Sequence, residues 1–165
     1  MRAPNRYFDR EHQIDAVKVL PGEYYVTRKN LLLVTVLGSC VAACIRDPLA
    51  GIAGMNHFML PGDNHEPGNP VSASSRYGVF AMETLINELI KAGAMVFGGG
   101  AVLGDLNAAN VGERNADFVL AFLRREGIAL AGQDLCGRYP RKVYFFSENG
   151  RVRLKIMKRL HNDTI

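Results

Sequence analysis

The chain has no run of about eighteen apolar residues, so no segment reads as a membrane-spanning helix. Its opening stretch, MRAPNRYFDREHQIDAVKVL, holds no continuous apolar core and no small-residue cleavage site. That excludes the pattern of a secretory signal and leaves the cytoplasm as the expected compartment. Cysteine is scarce, with 3 in 165 residues. Such a count argues against a disulfide framework and for free thiols. No Cys-x-x-Cys pair occurs, which removes the usual thiol-redox motif. There is no internal repeat, no low-complexity tract and no nucleic-acid-binding motif. Charge is also modest, at 22% of residues and +4 net. Eight of the 20 basic residues fall between Arg138 and Arg159, opposed only by Glu148. There Arg151, Arg153 and Lys155 alternate with Val152, Leu154 and Ile156, the pattern of a half-buried strand with a solvated basic face. Such a face can still help dock an acidic protein partner.

What is present is a 48% hydrophobic chain of a length suited to one domain with a real core. Residues 1–13 are polar and read as a loose, flexible arm, and 14–160 as a single domain. IDAVKVLPGEYYVT predicts two short strands broken at Pro21-Gly22. LLLVTV predicts a buried strand ending in a Gly-Ser corner. VAACI and IAGMNHFML predict two more, joined by a turn opened at Asp47-Pro48. GDNHEPGNPVSASS is a polar loop that, if it borders the site, shapes what is admitted. Helical spacing of Phe80, Leu85 and Leu89 and of Met82, Ile86 and Ile90 predicts a helix over 77–92, with Ser74 or Ser75 as cap. RNADFVLAFLRREG predicts a second, with Asn115 as N-cap and Gly127 just past its end. IALAGQDL, RKVYFF and RVRLKIM close the chain as strands. The expected class is α+β, with about nine strands and two main helices.

The chemistry concentrates in LGSCVAACIRDPLAGIAGMNHFMLP, residues 37–61. If its two strands pair with Asp47 opposite Ala50, Cys40 falls directly across from His57, with Cβ atoms about 4.5–5.5 Å apart. An imidazole beside a thiol can take its proton and leave a strong nucleophile for an acyl carbon. The oxyanion formed needs fixed donors, and Gly38 and Ser39 at the corner can supply backbone N–H groups. Thr35, on the strand before the corner, is a candidate to orient the imidazole through its other nitrogen. The plainer readings are a core thiol at Cys40 and a core imidazole at His57. Cys40, Cys44 and His57 do not have the spacing of a zinc site and no fourth ligand stands out, so no metal is expected. His12, His65 and His161 lie in polar contexts and read as surface residues. Gly98, Gly99 and Gly100 allow sharp turns or a close backbone approach near the site.

These motifs resemble the CheD family of chemoreceptor glutamine deamidases. TVLGSCVAACIRDP and GMNHFMLP look like its signature segments, and the likeness continues through RYGVFAMETLINELIKAGA, FGGGAVL, VGERNADFVLAFLRREGI and DLCGRYPRKVYFF. The resemblance implies packed mixed and antiparallel β-sheets flanked by two main helices, as in toxin deamidases. It implies hydrolysis of selected glutamine side-chain amides on chemoreceptor cytoplasmic helices to glutamate, with ammonia released and no cofactor. Methylester hydrolysis at related sites is a further implied activity. By residue, Cys40 matches the nucleophile, His57 the general base and Thr35 the third member of the triad. A CheC-type phosphatase is the implied partner, and the alternative function is a non-catalytic module docking that phosphatase or the receptor. One departure is Cys136, which stands where the family usually has a glycine after Asp-Leu.

Overall fold

The computed structural model describes residues 3–60, 73–87, 93–102 and 106–158, with backbone only over 73–77 and 106–110. The elements are β1 (Asn5–Asp9), β2 (Ile14–Lys18), β3 (Tyr24–Thr27), β4 (Leu32–Leu37), β5 (Val41–Asp47), β6 (Ile52–Asn56), α1 (Ala73–Asn87), β7 (Ala94–Gly98), α2 (Leu106–Arg125), β8 (Leu130–Leu135), β9 (Arg141–Phe146) and β10 (Val152–Ile156). The strands form two five-stranded mixed sheets, ordered β1-β2-β4-β9-β10 and β3-β6-β5-β7-β8. The parallel pairs are β2 with β4 and β7 with β8. This is the expected α+β class, with both helices on one side.

Each central strand buries both of its faces, which is why its sequence is continuously apolar rather than alternating. Leu33 and Leu37 of β4 meet Ala42 and Cys44 of β5, Met55 of β6 and Phe97 of β7 in the layer between the sheets. Val41, Ala43 and Ile45 point the other way, into a core with Met82 and Leu85 of α1 and Val119, Phe122 and Leu123 of α2. The helices therefore cover the second sheet. Phe58 is 1% exposed in that core. Burying a side chain of that size contributes about 2–3 kcal/mol.

Four expectations are corrected. Residues 5–9 are not a loose arm but pair with β2 in register from Asn5–Lys18 to Asp9–Ile14. The polar DREHQ segment that looked disordered is the hairpin turn, closed by Asp9 Oδ1 accepting the His12 N–H at 2.9 Å. The β5–β6 hairpin pairs Asp47 with Ile52, not Ala50. Asp47 Oδ1 accepts the Leu49 and Ala50 N–H groups at 2.9 and 3.0 Å, and Gly51 closes the loop at φ +64°. The loop thus takes all of 48–51, and the register moves by two residues. An even shift keeps every side chain on its expected face. α1 begins at Ala73, which puts Ser74 and Ser75 inside it rather than at its cap, and the expected end of that helix over 88–92 lies outside the described residues. α2 begins at Leu106, nine residues before the expected cap at Asn115. Its C-terminus is as expected. Gly127 sits at φ +66°, and the Ile128 and Gly127 N–H groups return to Leu123 and Arg124.

Candidate active site

The site is built where β4 of one sheet faces the β5–β6 end of the other. Thr35 lies in mid-β4 on the inter-sheet face and is 1% exposed. Its Oγ1 stands 2.7 Å from the Val19 carbonyl and 2.7 Å from His57 Nδ1. A carbonyl can only accept, so the hydroxyl proton goes to Val19. The same oxygen must then accept from His57 Nδ1–H. That fixes the tautomer and leaves the lone pair on Nε2. Nε2 is buried and has no hydrogen-bond partner among the described residues. The structure thus holds a basic nitrogen unspent.

The backbone of His57 is pinned as well. Its N–H donates to the Glu23 carbonyl at 3.0 Å, and its carbonyl accepts from the Gly22 N–H at 2.8 Å. One residue earlier the β5–β6 ladder is opened by a side chain, because the Ala43 N–H donates to Asn56 Oδ1 at 2.8 Å. Pairing resumes at Val41–Phe58. Continuing that register places Cys40 across from Met59 and one diagonal step from His57, and diagonal neighbours lie about 7–8 Å apart. Both side chains face the inter-sheet layer. The directly opposed pair expected from the sequence is therefore replaced by a diagonal one.

Cys40 is half-buried at the mouth of this layer, whereas Cys44 is wholly buried four residues on. Burial pushes the Cys40 thiol up, with its own backbone N–H pulling the other way. Burial pushes Cys44 far higher and makes it an inert core thiol. The same loss of water holds the His57 imidazole below its ordinary value, partly offset by the Val19 carbonyl and the charge of Glu23. Both shifts favour the neutral thiol and the neutral imidazole. A thiol and an imidazole so placed can support base-assisted attack by sulfur, with the proton moving as the bond forms. No group of three potential metal ligands occurs among the described residues.

Gly38 and Ser39, the candidate oxyanion residues, form the corner before Cys40. The Gly38 carbonyl accepts from the Gly100 N–H at 2.9 Å, and the Cys40 carbonyl from the Gly99 N–H at 2.8 Å. Gly98 has φ +105°, and any Cβ there would strike the Cys40 carbonyl. Gly98 is thus a requirement of this corner, since only a bare backbone can approach the Cys40 carbonyl so closely, whereas a Cβ at Gly99 would meet the Gly112 carbonyl of α2. Between these two bonds, the Ser39 carbonyl accepts from Asn115 Nδ2 at 2.8 Å. Sequence reasoning missed this role for Asn115. The signal was there: at i, i+4 and i+7, Asn115 shares a buried stripe with Val119 and Phe122.

Beside His57 lies a cavity of about 110 Å³, lined among others by Glu23, Tyr24, Phe80 and Thr84. Phe80 is 68% exposed and Tyr24 43%, so its rim is aromatic and open. The loop expected to border the site lies outside the described residues over 61–72. His12 is not the surface residue expected, for its side chain is only 8% exposed. Cys136 takes φ +65°, a left-handed conformation where a glycine would carry no strain.

The structure is a two-sheet sandwich with one helical layer, holding a thiol, an oriented imidazole and a hydroxyl between its sheets, and comparison with known proteins shows its family. The model of the CheD family, described as CheD chemotactic sensory transduction, matches residues 59–156. The chain is 58% identical to a probable chemoreceptor glutamine deamidase CheD of Thiobacillus denitrificans, over 99% of this chain and 84% of that protein. It is 56% identical to the protein of that name from Herminiimonas arsenicoxydans, again over 99% and 84%. It is 54% identical to a probable chemoreceptor glutamine deamidase CheD 1 of Shewanella oneidensis, over 100% and 84%. The chain belongs to the CheD family.

Proposed function

We propose that this protein hydrolyses glutamine side-chain amides on the cytoplasmic helices of chemoreceptors, giving glutamate and ammonia. The observation that carries the reading is the Thr35–His57 bond, which leaves Nε2 as the free basic nitrogen on the face shared with Cys40. The names of the relatives supply the substrate.

The steps follow from these groups. The Cys40 sulfur attacks the amide carbon while His57 Nε2 takes the thiol proton. The carbonyl oxygen becomes an oxyanion, received by backbone N–H groups of the Gly38–Cys40 corner. The imidazolium returns its proton to the departing nitrogen, which leaves as ammonia, and a thioester remains. Water then attacks the thioester, giving its proton to Nε2, and the sulfur leaves as a thiol after taking that proton back. The net reaction is glutamine plus water to glutamate plus ammonia, with no cofactor. Thr35 acts through His57, holding the ring in the tautomer that serves both steps. The aromatic rim of Tyr24 and Phe80 beside His57 suits a helix that presents apolar side chains around the reacting glutamine. A CheC-type phosphatase docking over this mouth belongs to the same proposal.

The test is mass spectrometry of a receptor cytoplasmic fragment incubated with the protein, alongside Cys40→Ala and His57→Ala. The reading expects site-specific conversion of glutamine to glutamate, lost in both variants. Conversion that survives Cys40→Ala rules out the thiol mechanism. A fragment that binds and is never converted leaves docking as the function.

A further inference from the structure

Asn115 is 0% exposed on a helix face otherwise made of apolar side chains. Both ends of its amide are engaged. Oδ1 accepts from the Leu60 N–H at 3.0 Å, and Nδ2 donates to the Ser39 carbonyl at 2.8 Å. An N–H can only donate and a carbonyl only accept, so the amide has one possible orientation. We propose that Asn115 is a positioning residue: by holding the Ser39 carbonyl toward α2, it turns the Cys40 N–H the opposite way, onto the thiol side, as a donor to the oxyanion. The proposal rests on the thiol-hydrolase reading above.

The lever is the peptide plane. No peptide bond in the described structure is cis. In a trans peptide the carbonyl of one residue and the N–H of the next point in opposite directions. Fixing the Ser39 carbonyl therefore fixes the Cys40 N–H. The carbonyls on either side, of Gly38 and Cys40, are held by backbone N–H groups of Gly100 and Gly99. The Ser39 peptide alone of the three is held by a side chain. Asn115 also ties two segments together. Leu60 lies three residues past His57, so one amide sets the strand that carries the base against the corner that carries the nucleophile.

An amide is the group this position needs. An ionised carboxylate has no hydrogen to give Ser39, and a hydroxymethyl group is too short to bridge both partners. The experiment treats the purified full chain with two reagents and follows Cys40 by peptide mass spectrometry. Iodoacetamide reacts at a saturated carbon and passes through no oxyanion. p-Nitrophenyl acetate transfers its acetyl group to the sulfur, releasing p-nitrophenolate, through a tetrahedral oxyanion. Asn115→Ser is expected to slow acetylation at least about tenfold while leaving alkylation unchanged. Asn115→Asp adds a pH readout. Protonated, its carboxyl can donate to Ser39 as the amide does, so the ratio of acetylation to alkylation stays near wild type at low pH and falls as the carboxyl ionises. An unchanged ratio in Asn115→Ser overturns the proposal, as does a parallel loss of both reactions in both variants. If the split holds while receptor fragments stay unconverted, the deamidase reading fails and the positioning role stands.

Discussion

His12 lies on the outer face of the first sheet, its ring 4.8 Å from Tyr144 and 5.5 Å from Phe146. His57 lies between the two sheets. Both are locked in the same tautomer. His12 Nδ1 gives its proton to Asp9 at 2.9 Å, because the Arg153 guanidinium, 2.8 Å from Nε2, can only donate. His57 Nδ1 gives its proton to Thr35. The difference is the last lone pair. Arg153 consumes it in His12, whereas in His57 it is buried with no partner among the described residues. An enclosed, hydrogen-bonded histidine is therefore not in itself a sign of chemistry. The sign is an acceptor that the fold leaves unspent, against the rule that buried polar atoms find partners.

The sharpest way to break this contrast is to remove each ring in turn. His57→Gln should lower receptor deamidation at least about 10³-fold, while His12→Gln leaves the rate within about twofold. In denaturant melts, His12→Gln should cost about 1 kcal/mol for its hydrogen bonds. Equal loss of activity in the two variants would end the distinction. A smaller effect comes from the orienting hydroxyl. Thr35→Val frees the ring to choose either tautomer and should slow turnover about 10- to 100-fold, with Thr35→Ser restoring most of it. Rates that ignore both changes would show that the His57 tautomer needs no help from Thr35.

The finest separation is in pH. His57 Nε2 must be unprotonated to work, and burial holds the ring below its ordinary pKa. Activity should therefore be level at neutral pH and fall only as pH drops below about 6.5. The Asp9 carboxyl is raised by burial, but the His12 N–H and ring outweigh this and hold it below the ordinary carboxylate value. Its contribution to stability is present above about pH 3.9 and is lost as pH falls through the lower folded value. Titrating activity beside tyrosine fluorescence should show the catalytic loss first and the structural loss well below it. Coincident curves would mean that the two regions titrate as one.

Much of this was legible in the sequence. The β-branched and apolar runs announced β2 to β6, and Cys40 and His57 stood out because one short segment carries both, with Thr35 just before it. Their common face survived a register error, since the Asp47 cap and Gly51 lengthened the turn by an even number of residues. β1 was hidden because four of its five residues are exposed, as an edge strand permits. The start of α2 was hidden in LNAANVGERN, whose asparagines and glycine are poor helix formers. Mistaking the start of that helix made Asn115 a cap when it is a strut. Backbone carbonyls leave no mark in a sequence, so the bonds around Ser39 could only come from the fold.

Thr35 and His57 reach each other from different sheets, and no covalent segment shorter than the β4–β6 connection links them. In the proposed mechanism the Thr35–His57 geometry is thus a vernier on the spacing of the two layers. A slip of the sandwich too small to disturb a strand or expose the core would still part a 2.7 Å bond. If the proposed chemistry holds, its rate gauges the alignment of two surfaces and is expected to fade with misalignment before the architecture comes apart.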